Sequence, residues 1–208
     1  MAYKEYVLLL HGIWMGSWTM SWLSDELRDA GFETGCLDLR SVGDAPEVLV
    51  ENLTEAIANV DAARIHLLGH SMGGLIILRY LQNALDKQLG RAILLGSPAL
   101  GSDAARQLDQ QPWGGVLGAS RTLWCSEFPT EVPGSLEVGA IAGDFGLGLG
   151  MLFASLQGPN DGAVCVAETR IAGLRDHIVL PVSHSSMLLS TEVARHAISF
   201  LKSGSFLR

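Results

Sequence analysis

Short apolar runs recur along the chain and predict six β-strands. Each run is about five to seven residues long and is rich in leucine or β-branched residues. The runs are largely apolar and do not alternate regularly with polar residues, which is typical of strands buried on both faces of a parallel sheet. The predicted strands cover residues 6–10, 33–39, 64–68, 91–95, 136–142 and 178–181.

Helical patterns lie between these strands. A first helix is predicted from the candidate N-cap Ser17 to the candidate C-terminal stop Gly31. Pro46 is expected to open a second helix, because proline suits the first helical position. A third helix is predicted after Ser71, and a last one over residues 191–201. Apolar residues at helical spacing in the third helix are Leu75, Leu78 and Leu85.

The alternation of strands and helices predicts an α/β fold, with about six mostly parallel strands and helices on both faces of the sheet. We expect one domain over residues 1–208, since no linker or repeat divides the chain. Two regions, residues 97–134 and the glycine-rich residues 143–158, interrupt the alternation. Ligands of such sheets bind beyond the carboxyl ends of the strands. We therefore expect both regions to form walls of a ligand site.

Composition limits which partners and which cellular location we expect for this protein. The net charge is −8 and the 14 Lys and Arg residues form no cluster, so nucleic acids and anionic membrane surfaces are not expected partners. No stretch approaches the roughly 18 apolar residues that cross a bilayer, and the first apolar run is too short for a secretory signal. The three cysteines are widely spaced, which suggests neither disulfides nor a metal site. We expect a cytoplasmic protein.

The segment LLGHSMGGL, residues 67–75, contains the pattern GxSxG between a predicted strand and a predicted helix. A serine on so tight a turn adopts a strained backbone, and the flanking glycines avoid collisions with neighbouring elements. The turn lifts the hydroxyl clear of the sheet, at a helix N-terminus that stabilises a developing anion. Ser71 is therefore the candidate nucleophile. The competing interpretation is a glycine-rich helix start of the phosphate-binding type.

A serine nucleophile requires a histidine base, and the position of His184 suits that role. His184 follows the last predicted strand by three residues, in VLPVSHSSML, where a loop can bring the ring over the serine. Three other histidines are less suitable: His177 precedes that strand, His196 belongs to the last helix and His66 lies inside a strand.

Two carboxylates are candidates for orienting the base. Asp144 directly follows a predicted strand, which is the simpler geometry. Asp161 lies in the turn sequence GPNDGAV, 23 residues before His184 (184 minus 161). The turn residues around Asp161 would fix its carboxylate rigidly, which favours Asp161 and leaves Asp144 as the alternative.

An oxyanion hole requires two N–H donors, each contributing roughly 3 kcal/mol to transition-state stabilisation. Met72, the residue after the nucleophile, is expected to supply one. The backbone of Ile13, in the loop after the first strand, is expected to supply the other. His11, in the same loop, is interpreted as structural.

The motifs HGIW, GHSMGG, LGSPALGS, NDGAV and VSH occur in the order seen in the α/β-hydrolase superfamily. The chain resembles the small bacterial lipase and esterase branch of that superfamily over nearly its whole length. The resemblance implies a minimal α/β-hydrolase fold. It also implies an open site, because the chain lacks the long helical cap expected between the fourth and fifth strands of larger relatives. The site residues that it implies are Ser71 as nucleophile, His184 as base, Asp161 as acid, and Ile13 and Met72 as oxyanion donors.

Apolar side chains near the candidate site predict a small-molecule acyl ester as substrate. Trp14 and Phe145 are the candidate substrate-binding residues, and we expect short or medium acyl chains. Further apolar residues of the second insertion are Leu147, Leu149, Met151, Leu152 and Phe153.

The leading hypothesis is a serine hydrolase of carboxylic esters, esterase- or lipase-like, that works through an acyl-enzyme and needs no cofactor or metal. A thioesterase or an acyltransferase would use the same residues. The remaining alternative is a non-catalytic binding module on this fold.

Overall fold

A computed structural model of the chain describes residues 5–83, 88–112, 114–125, 129, 131–132, 136–146 and 156–208. Within these residues, six strands form one sheet in the order β2-β1-β3-β4-β5-β6. All neighbouring strands are parallel, so the predicted α/β class with a parallel sheet is confirmed. The strands are β1 Glu5–Leu10, β2 Glu33–Leu37, β3 Arg64–His70, β4 Leu89–Leu95, β5 Glu137–Gly143 and β6 Asp176–Leu180.

Helices cover both faces of the sheet, and the two faces have separate hydrophobic clusters. The α-helices among the described residues are α1 Ser21–Asp29, α2 Pro46–Ala58, α3 Met72–Leu81, α4 Asp103–Asp109, α5 Thr122–Cys125 and α6 Thr191–Ser203. Leu8 and Leu10 of β1 belong to the cluster that contains α2 and α3 residues. Val7 and Leu9 point the other way, into the cluster that contains α1 and α6 residues. Residues 7–10 of β1 are therefore buried on both faces of the sheet, which explains why all four are apolar.

The predicted helix starts are partly confirmed. Pro46 is the first residue of α2, as expected. The N-cap prediction for Ser17 is wrong, because Ser17 lies inside a 3-10 turn, Ser17–Met20, and α1 begins only at Ser21. Gly31 follows α1 with φ +100°, a conformation that favours glycine. Of the third helix, Leu85 lies outside the described residues.

The chain between β4 and β5 forms a helical segment at the carboxyl edge of the sheet. This α4–α5 segment, residues 103–112 and 114–125, contains α4, a kinked 3-10 stretch over Gly114–Arg121, and α5. The N–H of Ala119 donates a hydrogen bond of 2.9 Å to the Val42 carbonyl, on the loop before α2. The sequence predicted loops, two short helices and no long cap here. The short helices nevertheless close one side of the edge where ligands bind.

Most of the second insertion, from residue 147 to residue 155, lies outside the described part of the chain. The predicted apolar residues Leu147, Leu149, Met151, Leu152 and Phe153 are therefore not described. In the part of the chain that is described, no helix is long and apolar enough to cross a bilayer.

Candidate active site

A cavity of about 250 Å³ lies at the carboxyl edge of the sheet. Its walls include the loops that follow strands β1 and β6, the turn between β3 and α3, and the α4–α5 segment. The polar residues of the wall include Ser71, Ser102 and His184. The apolar residues include Ile13, Trp14, Met15, Leu108, Leu117 and Trp124.

Ser71 occupies the sharp turn between β3 and α3 with φ 53° and ψ −114°. A positive φ at a residue with a side chain is strained, and such residues persist only where the surroundings hold them. The surroundings here are two close backbone contacts that only glycine permits. A Cβ at Gly69 would lie 2.5 Å from the Gly73 carbonyl carbon, and one at Gly73 would lie 2.4 Å from the Leu10 carbonyl oxygen.

The two predicted oxyanion donors lie in backbone segments next to the serine. Met72 is the first residue of α3, where backbone N–H groups have no acceptor within the helix. Ile13 lines the cavity in the loop after β1. That loop lies directly against the serine, because a Cβ added at Gly12 would be 3.2 Å from the Ser71 Cβ. Trp14, the next residue, has a positive φ of 58°.

The structure brings His184 together with Asp161. The His184 Nδ1 lies 2.8 Å from the Asp161 Oδ2, and the His184 backbone N–H donates to the Asp161 carbonyl at 2.8 Å. The other carboxylate oxygen, Oδ1, accepts from the N–H groups of Ala163 and Val164. Asp161 is buried, and its own turn fixes the carboxylate. Because the His184 Nδ1 is bound to Asp161, the Nε2 is the ring nitrogen left for the cavity.

Asp144, the alternative acid, is exposed and does not contact the His184 ring in any described hydrogen bond or ion pair. Its backbone N–H donates to the Leu180 carbonyl at 3.1 Å, which continues the pairing of β5 with β6.

Gly96 is a site residue that the sequence patterns did not indicate. It follows β4 with φ +53°, and a Cβ at this position would lie 3.1 Å from both the Asp161 Oδ2 and the His184 Nδ1. The residue belongs to the motif LGSPALGS. That motif supported the family resemblance but gave no sign that its first glycine lies against the histidine and aspartate.

Four other histidines are held in structural contacts. The His11 Nδ1 lies 2.8 Å from the Gly12 carbonyl and its Nε2 accepts from the Leu39 N–H, as the structural interpretation predicted. The His66 Nδ1 accepts from the Arg91 N–H, and burial lowers the pKa of His66 to about 4. His177 lies inside β6, not before it, and its Nε2 is 2.8 Å from the Thr169 hydroxyl. Burial also lowers the pKa of His196, on α6.

The two predicted substrate-binding residues lie in different places. Trp14 lines the cavity, although 58% of the residue is exposed. Phe145 is 52% exposed and is not among the lining residues. Its backbone N–H donates to the carbonyl of Val182, which follows β6, at 3.3 Å. The lining residues Leu108, Leu117 and Trp124 were not predicted, because the α4–α5 segment has helices too short to give a periodic pattern.

No set of three or more His, Cys, Asp or Glu side chains suited to holding a metal ion occurs among the described residues.

Comparisons with known proteins give a family and a fold. A family model described as the alpha/beta hydrolase family matches residues 7–145. The search of curated proteins gives no match. Among solved structures, the mature lipase BlEst2 of Bacillus licheniformis has a TM-score of 0.71 at 18% identity, over 99% of this chain and 94% of that one. The esterase EaEST of Exiguobacterium antarcticum has a TM-score of 0.69 at 17% identity, over 98% and 94%. A bromoperoxidase of Bacillus anthracis has a TM-score of 0.68 at 14% identity, over 96% and 92%.

Proposed function

Because this chain belongs to the alpha/beta hydrolase family, we propose that it hydrolyses carboxylic esters. In this proposal Ser71 is the nucleophile, His184 is the general base and Asp161 is the orienting acid. The observation that carries the proposal is the hydrogen-bonded pair of His184 and Asp161 beside a cavity that also contains the strained Ser71. A histidine that bonds a buried carboxylate through Nδ1 presents Nε2 to a nucleophile, which is the arrangement of a serine hydrolase.

Acylation begins when the Ser71 Oγ attacks the ester carbonyl carbon while the His184 Nε2 takes the hydroxyl proton. The tetrahedral intermediate collapses when the carbon–oxygen bond to the alcohol breaks, and His184 returns the proton to the leaving alcohol. Water then attacks the acyl carbon while His184 takes a proton from it. The bond between that carbon and the Ser71 Oγ breaks, His184 returns the proton to the Oγ, and the free acid leaves. Asp161 keeps the imidazole in the required tautomer and stabilises its cationic form.

The negative charge of the intermediate falls on the former carbonyl oxygen. We assign the backbone N–H groups of Ile13 and Met72 as its donors, because both belong to backbone that lies against Ser71. Loss of one such donor in other enzymes costs roughly 3 kcal/mol in the barrier.

The cavity walls support an apolar acyl group as the bound part of the substrate. None of the described lining residues is Asp, Glu, Lys or Arg, so a charged acyl group would lose its hydration without gaining a partner. A dry apolar cavity of roughly 150 Å³ accommodates benzene, which has six heavy atoms. At the same volume per atom, this cavity of about 250 Å³ has room for roughly ten heavy atoms. Esters of short or medium acyl chains fit this space.

A labelling experiment tests the proposal. Wild-type protein is incubated with a fluorescent organophosphonate and assayed with p-nitrophenyl butyrate, beside Ser71→Ala and the control Ser199→Ala, on α6. We expect wild type and Ser199→Ala to label and to hydrolyse the ester, and Ser71→Ala to do neither. Labelling of Ser71→Ala would exclude Ser71 as the nucleophile. A folded wild type that neither labels nor hydrolyses any ester or thioester of the series C2 to C12 would favour a binding module.

A further inference from the structure

We propose that His70 is a positioning residue that connects the loop of the base His184 to the strand that carries the nucleophile. The inference rests on the proposed function, because it concerns the distance between Ser71 and His184. His70 is the last residue of β3 and directly precedes Ser71. None of the chemical steps above uses this histidine, although it is fully buried beside the reacting groups.

The contact between the two histidines is direct. The His70 Nε2 lies 3.0 Å from the His184 carbonyl oxygen, so a proton on Nε2 donates a hydrogen bond to that carbonyl. The two rings also touch, with centroids 4.6 Å apart and planes at 44°. The His70 side chain thus reaches the backbone of His184 across 114 positions of sequence.

The described hydrogen bonds hold His184 at three points. Its backbone N–H and its Nδ1 both bond to Asp161, so these two bonds fix the base relative to the acid. The third bond, at the His184 carbonyl, comes from the residue beside Ser71. Of the three, this bond alone connects the base to the strand of the nucleophile, and it therefore bears on the distance that proton transfer requires.

The ring of His70 suits this role because it donates without carrying charge. Complete burial lowers the pKa of His70 well below that of a free histidine, and a positive charge on nearby His184 would lower it further. The ring is then neutral, with its proton on Nε2 and none on Nδ1. A cation at this position would oppose the imidazolium that forms on His184 during catalysis.

The same ring also contacts the loop of the expected oxyanion donor. A Cβ at Gly12 would lie 3.0 Å from the His70 Nδ1, so the ring packs against the backbone that precedes Ile13. Within the described part of the chain, the Nδ1 has no hydrogen-bond partner. His70 therefore touches both of the loops that must be placed around Ser71.

Three substitutions at His70 distinguish the effect of its hydrogen-bond donor from the effect of its ring shape. Glutamine has an amide N–H at about the reach of the His70 Nε2, so His70→Gln keeps a donor to the His184 carbonyl. His70→Phe keeps an aromatic ring but has no donor. Asparagine is polar but one methylene too short to reach the His184 carbonyl. His70→Asn is therefore a second variant without the bond, and it does not require a benzene ring to pack in this space.

Activity is measured per active site, with the phosphonate-reactive fraction titrated in each preparation so that unfolded protein does not contribute. We expect His70→Phe and His70→Asn to lower kcat by roughly 10- to 100-fold with KM within about twofold, because a displacement near 1 Å costs rates of this order. His70→Gln is expected to retain kcat within about fivefold of wild type. The rate of reaction with the phosphonate should fall more in His70→Phe and His70→Asn than in His70→Gln, since this reaction also needs the base His184.

The outcomes are distinct. A kcat per active site within twofold of wild type in either His70→Phe or His70→Asn would overturn the positioning role, as would an equal loss in His70→Gln and the two variants without the bond. Normal kcat per site with a lowered melting temperature in all three would assign a purely structural role to the ring. A wild type that does not react with the phosphonate would instead overturn the proposed function itself.

Discussion

At the scale of single residues, the candidate site depends on two strained backbone positions with side chains, Trp14 and Ser71. Each costs about 1–3 kcal/mol and is retained only because its surroundings permit no alternative. For Ser71 the surroundings are the close contacts of Gly69 and Gly73. The sequence pattern GxSxG predicted this turn, because glycine is needed at fixed offsets from the serine.

The acid is tested by one substitution and a matched control. Asp161→Asn removes the carboxylate that bonds the His184 Nδ1, whereas Asp144→Asn changes an exposed side chain. Loss of the orienting charge in a serine hydrolase lowers kcat by roughly 10⁴-fold. We expect a loss of this order in Asp161→Asn and less than twofold in Asp144→Asn, measured with p-nitrophenyl butyrate. The reverse order would assign the acid to Asp144.

Gly96→Ala tests the space beside the histidine and aspartate. The added methyl group would lie 3.1 Å from the His184 Nδ1 and the Asp161 Oδ2, at a positive φ. We expect a lower kcat together with a loss of about 1 kcal/mol in the free energy of unfolding. Gly31→Ala is the control, because Gly31 also has a positive φ but no atom within 4 Å of the added Cβ. It should lose stability and keep kcat; equal kcat in the two variants would contradict the prediction.

At the scale of elements, Trp14 connects the loop after β1 to the α4–α5 segment. Its indole Nε1–H donates to the Val116 carbonyl at 2.9 Å, between residues 102 positions apart. Leu117, the next residue of the segment, lines the cavity. The position of this wall therefore depends in part on a hydrogen bond from a largely exposed side chain.

Trp14→Phe keeps an aromatic ring in the wall and removes this hydrogen bond. We expect KM for p-nitrophenyl octanoate to rise severalfold while kcat stays within twofold, because the bond supports binding surface and not the reacting groups. Trp18→Phe is the control, since Trp18 is 77% exposed and is not among the lining residues. A KM in Trp14→Phe that equals the Trp18→Phe value would show that the bond does not support the wall.

Elements with strong periodicity were predictable, and those held by long-range contacts were not. All six strands occur where apolar runs predicted them, although β3 extends to His70 and β6 begins at Asp176. The short helices of the α4–α5 segment form against the rest of the molecule, for example through the bond from Ala119 to Val42. A local sequence pattern carries no information about such contacts. The same holds for His70, whose partner His184 lies more than 100 positions away.

At the scale of the whole molecule, neutral buried histidines couple stability to pH. Burial lowers the pKa of His66 and of His177 to about 4, and it lowers the pKa of His70 as well. The unfolded chain binds these protons near pH 6.5. Between pH 6.5 and about 4 the unfolded state therefore holds more protons, and the free energy of unfolding falls as the pH falls. Glu168 opposes this trend, because burial raises its pKa above 4.5.

His66→Asn isolates one of these contributions. The Asn Oδ1 can accept the Arg91 N–H bond that the His66 Nδ1 accepts, but the side chain does not titrate. A histidine pKa lowered from 6.5 to about 4 corresponds to about 3 kcal/mol of stability lost across this pH range. Urea unfolding from pH 7 to pH 4 should therefore show a shallower loss of stability in His66→Asn than in wild type, with an unchanged m-value. Parallel curves for the two proteins would mean that His66 binds its proton equally in both states, and that the acid sensitivity arises from the other buried histidines.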